Sequence, residues 1–182
     1  MWWHRPAAFR LGAPWTIELS IAGDGPLRAA LEALARQLGL EADVRFACAL
    51  DHTEVTAWMQ SLDAFVLACK PDANGDMDGI PVVLMEAMSQ QVPVVSTRLS
   101  GIPELVVHEQ TGLLAPPADP PALAAELRRL FESPELRARL AGAAVQHVQT
   151  EFGQQVNLNR LLGYFSPRPA ARAGDPNEHV SP

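Results

Sequence analysis

The chain has 182 residues, of which 48% are hydrophobic and 19% charged, and its formal net charge is −7, values typical of one folded domain rather than a disordered chain. The acidic balance and the scattered arginines argue against a nucleic-acid-binding surface. The two cysteines and five histidines show no metal-ligand spacing, and no apolar run reaches the roughly 20 residues of a membrane helix. We therefore expect a cytoplasmic protein that needs no cofactor or metal and has no transmembrane segment.

Strand-like and helix-like segments alternate along most of the chain. The strand-like segments are 15–23, 42–50, 63–69, 91–97 and 111–116. The helical patterns cover 27–40 and 51–62, begin again at Pro81 and Pro103, and then cover 120–133, 134–152 and 154–164. This alternation predicts βαβ units, and therefore an α/β fold with a single Rossmann-like, doubly wound parallel sheet followed by C-terminal helices.

Changes in composition divide the chain into three regions. Residues 1–14 are interrupted by Pro, Arg and Gly and are predicted to be irregular. Residues 15–165 hold the alternating elements and are predicted to form the domain. Residues 166–182 are rich in Pro, Ala and Arg and predict a disordered tail.

Short polar signals mark several turns and helix starts. Asp51 and Glu54 have the spacing of a capping box, and Asp119 stands before the Pro-led start of a helix. Asp24 and Gly25 follow the first strand in "AGDGPLR", which lacks a complete dinucleotide-binding fingerprint and predicts a tight turn.

The stretch "DMDGIPVVLMEAMSQQVPVVST" places Asp78 and Glu86 in an apolar run that contains no Lys or Arg. Pro81 suits the first position of a helix, so the amides of Val82 and Val83 are expected to remain free at its N-terminus. Free amides and the helix dipole favour a phosphate there. Parallel sheets bind ligands at the carboxyl ends of their strands, where this helix would begin.

The charge of Glu86 points to a different part of the same ligand. A carboxylate behind a phosphate site repels phosphate, but it can accept hydrogen bonds from paired hydroxyls such as those of a ribose. In the alternative interpretation, Glu86 reaches solvent from a half-exposed helix and Asp78 is a helix cap.

Glycines stand at two similar helix starts. Gly79 removes a side chain where a ligand would approach the backbone most closely. The stretch "STRLSGIPELVV" repeats the Gly-Ile-Pro sequence with Gly101, so a second set of amides is expected in the same crevice. An ordinary turn is the alternative at Gly101.

Several collinear motifs resemble one known family. The motifs "GDGPLR", "DGIPVVLMEAM", "PVVSTRLSGIPELV", "TGLLAPPADPPALAAEL" and "SPELRARLAGAA" together look like the C-terminal, donor-binding half of a family 4 (group 1) retaining glycosyltransferase with the GT-B fold. The resemblance runs from about Thr16 to Phe165, and the E-x7-E motif is present as Asp78-x7-Glu86, with the first acid shortened. The sequence around "GDMDGIPVVLMEAM" is similar to the corresponding sequence of bacterial enzymes that build colanic-acid-type exopolysaccharides.

The resemblance implies roles for particular positions. Glu86 would bind the ribose hydroxyls, and Asp78, the implied catalytic residue, would lie by the donor sugar and the leaving diphosphate and position them. The remaining implied contacts are the backbone amides of Ile80, Val82 and Val83 for sugar and phosphate, and the segment Ala47, Cys48 and Ala49 for the base. The implied reaction is retaining hexose transfer from a nucleoside-diphosphate sugar to a glycan or lipid-linked acceptor in polysaccharide biosynthesis, without a metal.

The chain also departs from the family pattern. The basic pair that grips the diphosphate in the family is absent before "GDGP", since Arg5 and Arg10 do not stand in a matching context. The N-terminal acceptor domain has no counterpart, so we expect a truncated enzyme with little turnover alone. In its parent form, the enzyme is expected to be peripheral to the inner face of the membrane.

The alternative function is that of a non-catalytic nucleotide-binding protein or a degenerate remnant. A glycosidase using both acids fits poorly, and an epimerase is favoured only by the fold.

Overall fold

The computed structural model describes residues 17–47, 49–71 and 79–165. Two of the predicted site residues, Cys48 and Asp78, lie outside the described residues, as do the regions 1–14 and 166–182. The strands are β1 (Leu19–Ala22), β2 (Val44–Ala47), β3 (Phe65–Leu67), β4 (Val94–Thr97) and β5 (Leu113–Ala115). The helices are α1 (Arg28–Gln37), α2 (His52–Gln60), α3 (Val82–Ser89), α4 (Ile102–Leu105), α5 (Pro120–Glu132), α6 (Pro134–His147) and α7 (Gln154–Phe165), with a π-helical turn at Val148–Phe152.

All strand pairs are parallel, which confirms the predicted α/β class. β1 pairs with β2 in a register that sets Leu19 opposite Val44, and β4 lies between β3 and β5. The described strands therefore form two sheets, one of two strands and one of three, rather than the single sheet expected from the sequence. The division lies between β1 and β3, which are not hydrogen-bonded to each other.

The three-stranded sheet has a core on each face. Successive residues of a strand point to opposite faces, and Phe65 packs in the cluster with α3 and α4 while Val66 packs in the cluster with α5 and α6. The same division separates Val94 from Val95 on β4. Burial on both faces explains why these strands are continuously apolar in sequence.

The predicted caps are confirmed where the structure describes them. The Asp51 carboxylate accepts from the Glu54 N–H at 2.8 Å while the Glu54 side chain accepts from the Asp51 N–H at 2.9 Å, which completes the capping box of α2. Asp119 accepts from the Ala122 N–H at the start of α5. The Asp24 side chain accepts from the Gly25 N–H and shapes the turn after β1. Among the described helices, none is long and apolar enough to cross a membrane.

Candidate functional site

A cavity of about 490 Å³ opens where β1 and β2 end and α3 begins. It brings together six residues singled out from the sequence, namely Ala49, Gly79, Ile80, Val82, Val83 and Glu86. The position agrees with the general rule that parallel sheets bind ligands beyond the carboxyl ends of their strands. We call this space the α3 cavity.

The start of α3 presents unpaired amides to the cavity. Pro81 has φ −64° and ψ 120° and precedes the helix, so Val82 is the first helical residue, one position later than the sequence predicted. The Leu84 N–H donates to the Pro81 carbonyl at 3.0 Å, and no side chain caps the helix. Within the described residues, the N–H groups of Val82 and Val83 have no acceptor. This leaves an anion-binding geometry at the cavity wall.

Glu86 lies on the same face of α3 as these amides. Residues three and four positions apart are neighbours on a helix, so Glu86 adjoins both Val83 and Val82, whereas Leu84 and Met88 point into the core. Glu86 is half-buried and lines the cavity. Its carboxylate has no ion pair or hydrogen bond with any residue that the structure describes. It is therefore free to accept hydrogen bonds from a ligand.

Gly101 packs against the turn at 79–80 and does not line the cavity. A Cβ atom at Gly101 would lie 2.8 Å from Ile80 Cγ1 and 3.5 Å from the Gly79 carbonyl carbon. The two Gly-Ile-Pro turns therefore lie so close together that a side chain at Gly101 would collide with Ile80. A direct contact of Gly101 with a donor remains a prediction.

The three residues expected near a base do not all lie together. Ala49 lines the α3 cavity, and Ala47 lines a separate, larger cavity between the two sheets. Arg28 holds the end of β2 beside them, because its guanidinium donates to the Phe46 carbonyl at 3.3 Å and the Ala47 carbonyl at 3.5 Å.

Sequence reasoning missed part of the cavity wall. Gly23, which has φ 130°, borders the cavity although its turn was interpreted only as a tight turn. Val55, Trp58 and Met59 from α2 supply the apolar side. The apolar face of α2 gave the only available signal, and the same pattern is typical of core packing.

Among the described residues that line the cavity, Glu86 is the only one with a charged side chain, and the dipole of α3 adds partial positive charge at its N-terminus. Among the described residues that line it, none is Lys or Arg. The described part of the chain also contains no cluster of three or more His, Cys, Asp or Glu side chains that could hold a metal ion.

Comparisons with known proteins identify the family. The family model for glycosyl transferases group 1 matches residues 15–147. The amylovoran biosynthesis glycosyltransferase AmsK of Erwinia amylovora is 40% identical over 79% of this chain and 35% of its own length. The putative colanic acid biosynthesis glycosyltransferase WcaL of Escherichia coli K12 is 42% identical over 78% of this chain and 35% of its own length. The chain thus spans about a third of the length of these relatives.

A solved structure supports the fold. The crystal structure of Anabaena HepE in complex with UDP superposes with a TM-score of 0.72 at 22% identity, covering 86% of this chain and 43% of that one. The resemblance inferred from the collinear motifs is confirmed by the match over residues 15–147. This chain belongs to the group 1 family of glycosyltransferases.

Proposed function

We propose that the α3 cavity binds the nucleoside-diphosphate part of a donor sugar for retaining hexose transfer in polysaccharide biosynthesis. The observation that carries the proposal is the shared face of α3, where two amides and the Glu86 carboxylate, all without a partner among the described residues, border one cavity. One end of this face suits a phosphate and the other suits sugar hydroxyls.

The pyrophosphate lies against the amides of Val82 and Val83, where the helix dipole adds to two N–H donors. Glu86 follows Val82 by four residues, or about 6 Å along the helix axis. At that distance the carboxylate accepts from the ribose hydroxyls without meeting the phosphate charge directly. Ala49 borders the base.

Asp78 completes the proposed site by resemblance to the family. It would lie beside the donor sugar and the leaving diphosphate, ahead of Gly79 and Ile80, which line the cavity. Gly79 leaves open space at its Cα, with no atom within 4 Å of the position that a Cβ would occupy, so a ligand can approach the backbone.

The relatives support the choice of donor and pathway class. AmsK and WcaL are named for amylovoran and colanic acid biosynthesis, and the HepE structure contains UDP. By analogy, the proposed acceptor is a glycan or lipid-linked sugar. The acceptor side of the cleft would come from polypeptide equivalent to the part of the relatives that this chain does not match.

Isothermal titration calorimetry of the full chain with UDP, GDP and their hexose conjugates tests the proposal. We expect saturable binding of one nucleoside diphosphate, unchanged by EDTA because no metal is required in the proposed site. Absence of binding for every nucleotide would reject the proposed donor site.

Replacing Gly79 by alanine tests the position of the diphosphate. A methyl group there occupies space that the backbone leaves to the ligand, so affinity for the nucleoside diphosphate should fall about tenfold, equivalent to about 1.4 kcal/mol. Affinity for the nucleoside without phosphates should stay the same, as should the melting temperature, because the added Cβ meets no protein atom within 4 Å. Calorimetry with both ligands measures the difference, and an equal loss for both would place the phosphates elsewhere.

A non-catalytic nucleotide-binding module is the second candidate. It is favoured by the absence of Lys and Arg among the described lining residues, since a leaving diphosphate needs fixed positive charge in the transition state. Sugar transfer is measured with the donor that binds, after adding the unmatched portion of the E. coli relative as a separate polypeptide. Transfer supports the enzyme, and binding without transfer supports the module.

A further inference from the structure

The chain between β2 and α2 presents unpaired backbone groups to the α3 cavity. Ala49 and Leu50 line the cavity, and we call them the 49–50 segment. The N–H and C=O groups of both residues have no hydrogen-bond partner among the described residues. A nucleobase carries donors and acceptors along one edge, so backbone groups distinguish one base from another only if they are held in fixed positions. Whatever holds the segment therefore controls which base it accepts.

Arg28 anchors the chain just before this segment. Its guanidinium donates to the Phe46 carbonyl at 3.3 Å and to the Ala47 carbonyl at 3.5 Å, and it lies 6.0 Å from the centre of the Phe46 ring. Its Nε donates to Glu32 at 3.0 Å, one turn further along α1, which orients the guanidinium. The side chain of Arg28 is only 29% exposed, so these contacts are partly shielded from solvent. The last two residues of β2 are thus tied to α1 as well as to β1.

The capping box of α2 anchors the chain just after the segment. Asp51 accepts from the Thr53 and Glu54 N–H groups at 2.8 Å, and these bonds stay within the start of α2. Three residues separate Ala47 from Asp51, so the two anchors leave the 49–50 segment little freedom to shift. Of the two anchors, Arg28 is the one that connects the segment to a distant part of the chain.

Arg28 also belongs to a second part of the cavity wall. Its backbone N–H donates to the Gly25 carbonyl at 3.0 Å and closes the turn that begins at Gly23, which lines the α3 cavity. Arg28 is not itself one of the described residues that line the cavity. An effect of Arg28 on a ligand would therefore pass through the backbone that it holds.

We propose that Arg28 is a positioning residue for base selection, which acts on the 49–50 segment through the carbonyls of Phe46 and Ala47. The inference rests on the proposed donor site and assigns the residue that fixes its base specificity. Without the guanidinium, the end of β2 is held by β1 alone, and the segment can move by more than the roughly 0.5 Å that specific contacts tolerate. Contacts with the base then weaken, whereas contacts with the phosphates and the ribose are made by α3 and stay the same.

Calorimetry of the full chain with UDP, CDP, GDP and ADP measures base selection. UDP and CDP are the sharpest pair, because uracil presents a carbonyl acceptor where cytosine presents an amino donor. We expect the unsubstituted chain to prefer one base by about tenfold or more. Arg28→Met keeps the apolar stem of the side chain but removes its donors. It should reduce the preference to about twofold, through weaker binding of the preferred nucleotide alone, as expected when about one hydrogen bond to the base is lost.

Two further variants separate positioning from a general effect on the fold. Arg28→Lys keeps the charge, but one ammonium group does not reproduce the fork that spans two carbonyls, so its base preference should be intermediate. This variant also carries the test if Arg28→Met does not fold. Arg36→Met makes the same chemical change in the exposed last turn of α1, where the guanidinium has no partner among the described residues. It should keep the full preference.

The outcomes distinguish this inference from the donor site on which it rests. Absence of binding for every nucleotide rejects both. Three results reject the role of Arg28 alone: equal affinity of the unsubstituted chain for all four nucleotides, an unchanged preference after substitution of Arg28, or an equal loss of affinity for all four. A lower melting temperature of Arg28→Met with an unchanged preference would show that Arg28 only stabilises the end of β2.

Discussion

Glu86→Gln should lower the affinity for the nucleoside diphosphate by about 10- to 100-fold. Hydrogen bonds to a charged group contribute about 1.5–3 kcal/mol, and glutamine keeps the size of the side chain while losing the charge and one acceptor oxygen. Because Glu86 has no ion pair with the described residues, the substitution should leave the melting temperature almost unchanged. Calorimetry and a thermal melt measure the two quantities separately.

Glu41→Gln is the matched control for this experiment. Glu41 is exposed, lies between α1 and β2 and does not line the α3 cavity, but its substitution changes the net charge by the same amount. It should bind nucleotide like the unsubstituted chain. If Glu86→Gln also binds normally, Glu86 does not contact the ribose and the solvent-facing interpretation of this residue is correct.

Gly112→Ala should destabilise the domain by about 2–3 kcal/mol, the effect expected of overpacking in a rigid core. A Cβ at this position would lie 2.7 Å from methyl groups of Val94 and Val106 and 2.9 Å from the Val94 carbonyl oxygen. The backbone of β4 would have to move, and its position is fixed by strands on both sides. The melting temperature should fall by about 5–10 °C.

Gly142→Ala is the corresponding control, since it adds the same methyl group in the middle of α6, where nothing lies within 4 Å of the new atom. An alanine in a helix interior is favoured over glycine by roughly 0.5–1 kcal/mol, so this variant should melt at a slightly higher temperature. Equal melting temperatures for the two variants would show that Gly112 is not closely packed.

Local sequence signals predicted most of the elements because their causes are local. The alternation of apolar runs located each strand in the part of the chain that the structure describes, and the capping box at Asp51 set the start of α2. Some strands were predicted to be too long: the apolar segment 63–69 contains β3, which covers only Phe65–Leu67, because apolar composition extends beyond the residues that pair. The start of α3 was displaced by one residue since Pro81 suits both the first helical position and the one before it.

Relations between distant parts of the chain were less accessible. Periodicity identifies strands but not their neighbours, so the sequence did not show that β1 and β3 stay apart. The contact between Gly101 and Ile80 depends on how two loops pack and has no local signature. The shared position of Glu86 and the amides of Val82 and Val83 was predictable because all three lie within two turns of one helix.

Two side chains are hydrogen-bonded to outward backbone groups of edge strands: Arg28 donates to the Phe46 carbonyl on β2, and His108 accepts from the Leu114 N–H on β5. Fibres grow when each added chain offers a fresh template to the next one. Because these outward groups are already hydrogen-bonded to side chains, β2 and β5 offer a poorer template to a strand of another chain.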